Sequence, residues 1–324
     1  MKTKLINPKN GDPYFGLLNN MIEINIQDAF LKTKMGKKRS SILKKFLLKQ
    51  FMFTGIINKD FICGIAIADL QYASKGFFYA YDIKKDIMIE ESELIFLQST
   101  IDPKTENQTG RFKNKNIEIL FDNEILSASS TKLKIQAKLF NDATLPLRLV
   151  SKTSYNGWFF TKKQTCIPCD LTLNINEKEF IFDKDSTLAI TDRSLGFPGR
   201  EIWWNWAATA SILENKKEFG MNLSWGINQT GETENFISIE NKKIKIQQAS
   251  FEKNDNNTWF IKTNDNILNL KFTPMTKKTE KENFMISAAN FTQEIGRFEG
   301  TAFVDGKIID IDCLGWLEDH YVKW

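Results

Sequence analysis

Lys132-Leu133-Lys134-Ile135-Gln136-Ala137-Lys138-Leu139 alternates polar and apolar residues without a fault. Successive side chains of an extended strand point to opposite faces, so this run buries one face and wets the other. A helix would scatter the same residues around its circumference. The pattern recurs along the chain. Residues 219–227 place every large apolar side chain on one face and only Gly, Asn or Ser on the other. Leu171, Leu173 and Ile175 alternate with Thr172, Asn174 and Asn176, and Leu268, Leu270 and Phe272 alternate with Asn269 and Lys271. Turn signals fall between apolar runs: Asn58-Lys59-Asp60 between 51–57 and 61–69, Asp122-Asn123 within 115–126, and Asp305-Gly306 between 298–304 and 307–313. Further strands are expected over 76–83 and 94–98. The best helix candidate is 40–50, capped by Ser40 or Ser41, with Ile42, Leu43, Phe46 and Leu47 along one side. Many short strands and few helices predict an all-β sandwich or barrel, and 324 residues suggest two of them. Their expected extents are 1–150 and 151–324, an inference from size, since no exact repeat is visible.

The charge is uneven. From Asp28 to Phe53 eight cations face one anion, a local +7 against +4 for the whole chain, which leaves −3 elsewhere. This segment reads as a solvated helix face with a loop, or as a membrane-surface element. Its lack of interleaved aromatics and the slightly acidic remainder argue against nucleic acid. No apolar run approaches a membrane span and no secretory signal follows Met1, so a cytoplasmic protein is expected.

Chemistry is bounded by a single histidine, His320. It excludes multi-histidine metal sites, and no metal or cofactor is expected. Cys166-Ile167-Pro168-Cys169 precedes a strand rather than a helix, so nothing there lowers a thiol pKa, and the spacing reads as chance. Asp310 and Asp312 read as solvent-side strand residues. Glu318, Asp319 and His320 are an acid–base candidate, although their place near the C-terminus favours a surface cluster. No phosphate-cradling glycine loop or nucleophile elbow is present.

The richest stretch runs from Leu188 to Ala207, with Asp192, two of six arginines (Arg193 and Arg200) and three of eight tryptophans (Trp203, Trp204 and Trp206). A strand from Arg200 would put Ile202, Trp204 and Trp206 on one face and Trp203, Asn205 and Ala207 on the other. Two compatible readings follow: a core strand whose indoles fill a barrel, or a cavity wall with Asp192, Arg200 and Asn205 as polar fixtures.

The second half resembles the domain of unknown function 2804 family. The landmarks are Phe160-Thr161-Lys162-Lys163 with Pro168, Asp192-Arg193 with Gly196 and Pro198, and Trp203 to Ala207. They continue with Gly220-Met221-Asn222-Leu223, Thr233-Glu234-Asn235, Leu270 to Pro274, Gly296 to Gly300 and Gly315-Trp316-Leu317-Glu318; Asp69-Leu70-Gln71-Tyr72 matches less sharply. More distantly, Asp192, Gly196, Trp204 and Trp206 resemble a motif of the carotenoid hydratase and AttH-like, lipocalin-related proteins. That resemblance implies two tandem lipocalin-like antiparallel β-barrels with a few short helices, holding apolar ligands in or between them. Some relatives hydrate or cyclise such ligands by acid catalysis.

The expected function is therefore binding of an apolar or amphipathic small molecule, lipid- or isoprenoid-like, in a barrel or inter-barrel cavity. Expected ligand-binding residues are Asp192, Arg193, Arg200, Trp203, Trp204, Asn205, Trp206, Asn222, Trp225, Glu234, Asn235 and Trp316. An acid-catalysed hydratase or cyclase with Asp192 or Glu234 as the acid is the alternative, and a module using residues 32–49 on an anionic membrane surface is a third reading.

Overall fold

The alternating runs become strands, and nearly all of them pair antiparallel. The computed structural model describes residues 3–33, 35–214, 216–227, 231–284 and 287–324, so Lys34 of the basic segment lies outside the described residues. The chain divides into two compact units, Met1–Gly199 and Arg200–Trp324.

In the first unit, β1 (Thr3–Lys4), β2 (Gly16–Leu17) and β3 (Ile22–Glu23) precede helix α1 (Ser41–Leu47). Then follow β4 (Lys49–Ile57), β5 (Phe61–Asp69), β6 (Ala73–Asp82), β7 (Ile87–Phe96), β8 (Thr109–Lys113), β9 (Glu118–Asp122), β10 (Ile125–Ser129) and β11 (Leu133–Leu139). The last four are β12 (Leu147–Lys152), β13 (Trp158–Ile175), β14 (Lys178–Phe182) and β15 (Leu188–Phe197). The sheet runs β7-β6-β5-β4-β15-β13-β11-β10-β9-β8, with β12 and β14 also paired to β13. Met52, Ile65, Phe78, Phe112, Ile119, Ile135, Leu171 and Ala189, from eight different strands, meet in one apolar core. A second cluster joins Leu5, Ile22, Leu31 and Leu48 to Trp158, Leu195 and Phe197.

Two local features follow from particular residues. Ser40 Oγ accepts from Leu43 N at 3.3 Å and starts α1 as expected, but the helix stops at Leu47 because Leu48 turns extended and leads the buried Lys49 and Gln50 into β4. In β13 the register with β15 shifts between Gln164 and Ile167, where Cys166 takes φ +54°. Cys166 thus occupies a bulge and Cys169 the core; burial pushes the Cys169 thiol above its ordinary range, as expected for an inert pair.

The second unit holds β16 (Glu201–Ile212), β17 (Glu218–Trp225), β18 (Phe236–Ile239), β19 (Lys242–Lys245), β20 (Ala249–Lys253), β21 (Trp259–Thr263), β22 (Leu268–Phe284), β23 (Ser287–Val304) and β24 (Lys307–Lys323). Their order is β19-β18-β17-β16-β24-β23-β22-β21-β20, and β20 returns alongside β17. Ala207, Met221, Ile237, Ile261, Leu270, Phe298, Ile311 and Leu317 fill the interior. Asp305 (φ 49°) and Gly306 (φ 75°) make the expected tight turn between β23 and β24, since two consecutive left-handed residues match the twist of a hairpin.

The division falls at residue 199, later than the 150 expected from size. Strands β13 and β15 belong to the first unit because β15 pairs along its length with β4, and β13 with β11 and β12. Among the described residues no helix is long and apolar enough to cross a membrane.

Candidate functional site

The division cuts the motif-rich stretch in two, so it does not form one wall of one barrel. Asp192 and Arg193 lie on β15 of the first unit; Arg200 and the three tryptophans lie in the second.

Adjacent on β15, Asp192 and Arg193 point to opposite faces. Asp192 Oδ2 takes Lys163 Nζ at 2.5 Å from its register partner on β13, and Oδ1 accepts from Ser194 Oγ at 3.0 Å. This carboxylate is held in an ion pair with Lys163. The fully buried Arg193 donates through Nη2 to Gln50 Oε1 at 2.7 Å and to the Asp102 carbonyl at 3.2 Å, and through Nη1 to the Ser194 carbonyl at 2.8 Å. Burial lowers its pKa to about 10 against the opposing pull of Asp102, Asp69 and Asp192. Arg193 is a strap that ties the segment after β7 to the sheet. Asp69 clasps the same segment, accepting from the backbone N–H groups of Thr100 at 2.9 Å and Ile101 at 3.3 Å.

Beside Arg193 lies a chamber of about 20 Å³ lined by Glu106, Gln108, Lys162, Gln164 and Thr191. Its size suits roughly one or two waters and its walls are polar. An isoprenoid does not fit this chamber.

In the second unit the two-face reading of β16 holds. Trp203, Asn205 and Ala207 share one face, and Ala207 belongs to the packed interior. Half-exposed Trp203 meets Trp225 edge-on at 5.0 Å, over Gly226, whose φ of +94° and closeness to the indole leave no room for a side chain. Asn205 Nδ2 donates to Asp319 Oδ1 at 3.2 Å. Arg200 is exposed at the edge of the unit, and its carbonyl accepts from Trp324 N at 3.0 Å.

Three expected residues act as braces. Trp206 Nε1 donates to Asn222 Oδ1 at 2.9 Å, and Asn222 Nδ2 to the Glu234 carbonyl at 3.0 Å. Asn235 accepts from Ser224 N at 2.7 Å and donates to the Gln247 carbonyl at 2.9 Å. Buried Glu234 acts electrostatically, together with Glu232, on Lys245, whose pKa burial lowers to about 8. The Thr233-Glu234-Asn235 landmark is therefore itself held against the sheet.

The opposite face of β16 carries the densest chemistry, arranged in rungs across four paired strands. One rung is Glu280 (β22), Phe291 (β23), His320 (β24) and Trp204 (β16); the next is Lys278, Gln293, Glu318 and Trp206. Trp316 lies on the same face one rung further and is fully buried. The His320 ring lies 4.1 Å from that of Trp204 and 4.9 Å from Phe291. Gln293 Nε2 donates to Glu318 Oε1 at 2.7 Å, Trp204 Nε1 reaches Glu318 Oε2 at 3.4 Å, and Lys278 pairs with Glu280 at 2.8 Å. Burial disfavours imidazolium and pushes the His320 pKa down to about 3, with Glu280 opposing. A neutral imidazole, a held carboxylate and two aromatic rings thus share one partly accessible face.

The surface cluster expected at 318–320 is thereby corrected. Asp319 is exposed on one face, while Glu318 is buried and His320 only partly exposed on the other, because β24 continues to Lys323 and alternation separates them. Lys278, Glu280, Phe291 and Gln293 were not legible as site residues. Their only sequence trace is two-residue spacing within stretches polar on both faces.

Comparison with known proteins places the chain in a family. No curated protein matches the chain by sequence. Among solved structures, kievitone hydratase from Nectria haematococca is similar with a TM-score of 0.52 and 10% identity, covering 85% of this chain and 88% of that one. An AttH-like protein from Nitrosomonas europaea is similar with a TM-score of 0.52 and 10% identity, covering 84% and 91%. These likenesses establish the tandem lipocalin-like fold. The family profile matches residues 28–324, and the chain belongs to the domain of unknown function 2804 family.

Proposed function

We propose that this protein binds a flat apolar or amphipathic small molecule against the rung face of the second unit. The reading rests on one observation: Trp204, His320 and Phe291 form a contiguous ring surface beside the held carboxylate of Glu318. Ligand sites combine such apolar area with a few fixed polar groups. A titration of tryptophan fluorescence with retinol as an apolar probe tests it. Saturable quenching is expected, weakened about tenfold by Trp204→Ala through lost ring contact and unchanged by Trp203→Ala on the other face. No saturable quenching, or equal weakening by both variants, refutes the proposal.

A second reading, hydration of the bound molecule, rests on the Glu318 carboxyl group buried beside the ring surface; the kievitone hydratase likeness raises the same idea by analogy of fold. In it, protonated Glu318 gives its proton to a carbon–carbon double bond, water adds to the cation, and the surplus proton returns to the carboxylate. Glu318→Gln is expected to abolish incorporation of labelled oxygen from water while leaving probe affinity within about twofold. Labelling that survives in this variant excludes Glu318 as the acid.

A further inference from the structure

The segment between β3 and β4 of the first unit shows large apolar side chains to solvent in a stretch of sequence whose one acid is Asp28. It is a built element. Thr33 N donates to the Lys37 carbonyl at 2.7 Å and Gly36 N to the Thr33 carbonyl at 2.9 Å, closing a turn across the Lys32–Lys38 bridge. Arg39 N ties back to the Leu31 carbonyl at 2.7 Å, and α1 follows. Leu31, Leu47 and Leu48 anchor the segment in the cluster with Trp158 and Phe197.

What the anchor leaves outside is apolar. Met35, at the turn, is 87% exposed; on α1, Ile42 is 73%, Leu43 42% and Phe46 44% exposed. On a helix Ile42, Phe46 and Leu43 are neighbours on one arc, whose far side is the anchoring Leu47. Lys32, Lys37, Lys38 and Lys45 are also exposed. Two further lysines are engaged: Lys44 Nζ donates to the Gln27 carbonyl at 2.6 Å, and Lys49 Nζ to the Phe46 carbonyl at 2.7 Å. The acid nearest in sequence, Asp28, accepts from Asn25 Nδ2 at 2.8 Å.

We propose that residues 30–46 dock the protein on an anionic phospholipid surface, with Met35, Ile42, Leu43 and Phe46 entering the headgroup region and the exposed lysines meeting lipid phosphates. Charge complementarity selects this occupant. A second copy would bring one strongly positive segment against another, and nucleic acid would leave the apolar arc uncovered. Apolar penetration together with lysine attraction is the pair of signals that holds a protein at an interface. The inference is independent of the ligand reading, which concerns the other unit.

Vesicle flotation of the full chain tests it, using phosphatidylcholine vesicles with and without phosphatidylserine. Binding is expected only with phosphatidylserine, and it is expected to weaken between about 0.1 M and 1 M salt, where the screening length falls from about 10 Å to about 3 Å. Lys37→Gln with Lys45→Gln removes two surface cations, each worth roughly fivefold in partitioning, for a loss of about 25-fold. Ile42→Ser is expected to lower binding several-fold without changing its salt dependence. Unchanged melting temperatures show that the variants are folded. Equal binding to both vesicle types, no binding to either, or a salt-insensitive association overturns the proposal. So does a concentration-dependent dimer that Ile42→Ser abolishes, which would assign the arc to a second copy.

Discussion

Acidification from about pH 8 to about pH 5 is expected to leave the imidazole of His320 neutral, although an ordinary histidine would be almost fully protonated by the end of that range. Its pKa falls from 6.5 to about 3. At pH 5 roughly 1% of folded molecules carry imidazolium, against about 97% of unfolded ones. The sign follows: a base whose folded pKa is depressed stabilises the fold fully above 6.5, and that stability is lost as pH falls towards 3. The gap of about 3.5 pH units corresponds to at most about 5 kcal/mol, of which about 2 kcal/mol is already gone at pH 5. Because His320 is the only histidine, its Hε1 proton resonance needs no assignment. Its chemical shift is expected to stay flat between pH 8 and pH 5, while denaturant unfolding shows the wild type losing about 2 kcal/mol more than His320→Gln over the same range. An imidazole that titrates near 6.5, or parallel pH dependence of the two proteins, would refute the account of this ring as held neutral between Trp204 and Phe291.

Two structural predictions stand beside it. Glu106 receives Arg148 through two hydrogen bonds of 2.7 and 2.8 Å in a buried setting, so Glu106→Ala is expected to cost about 3–5 kcal/mol, whereas Lys85→Ala, which breaks an exposed pair with Asp82, costs under about 1 kcal/mol. Equal thermal shifts for the two would contradict the ranking. A Cβ at Gly64 would lie 2.4 Å from the ring of fully buried Tyr79, its partner across β5 and β6, so Gly64→Ala is expected to cost about 1–3 kcal/mol by overpacking, and wild-type melting would show that the ring can move aside.

Where one strand face is apolar and the other wet, the sequence is legible without long-range information. The run 132–139 pairs as β11 with every aliphatic residue buried, and Asp305-Gly306 makes its turn. The opposed faces of Trp203 and Trp204 are equally legible, since alternation alone decides them. Long strands with polar residues on both sides are not. The stretches 276–283 and 288–294 lack hydrophobic contrast and are strands only because β22, β23 and β24 support one another. The site suffers for the same reason: Glu318 is held by Gln293, 25 residues away, through a register that no local pattern reveals. The shared interior expected of the indoles failed differently. Ala207 and Leu317 fill the barrel, and Trp204 and Trp206 project from the other side of the sheet.

Strands β22, β23 and β24 run 17, 18 and 17 residues, about three times the usual length for a globular protein. Their outer stretches form a pegboard whose holes are fixed by backbone hydrogen bonds and whose pegs are exchangeable. Swapping a peg alters what the board can grip without disturbing how it is nailed together, which offers one route by which distant proteins can keep an architecture while changing their chemistry.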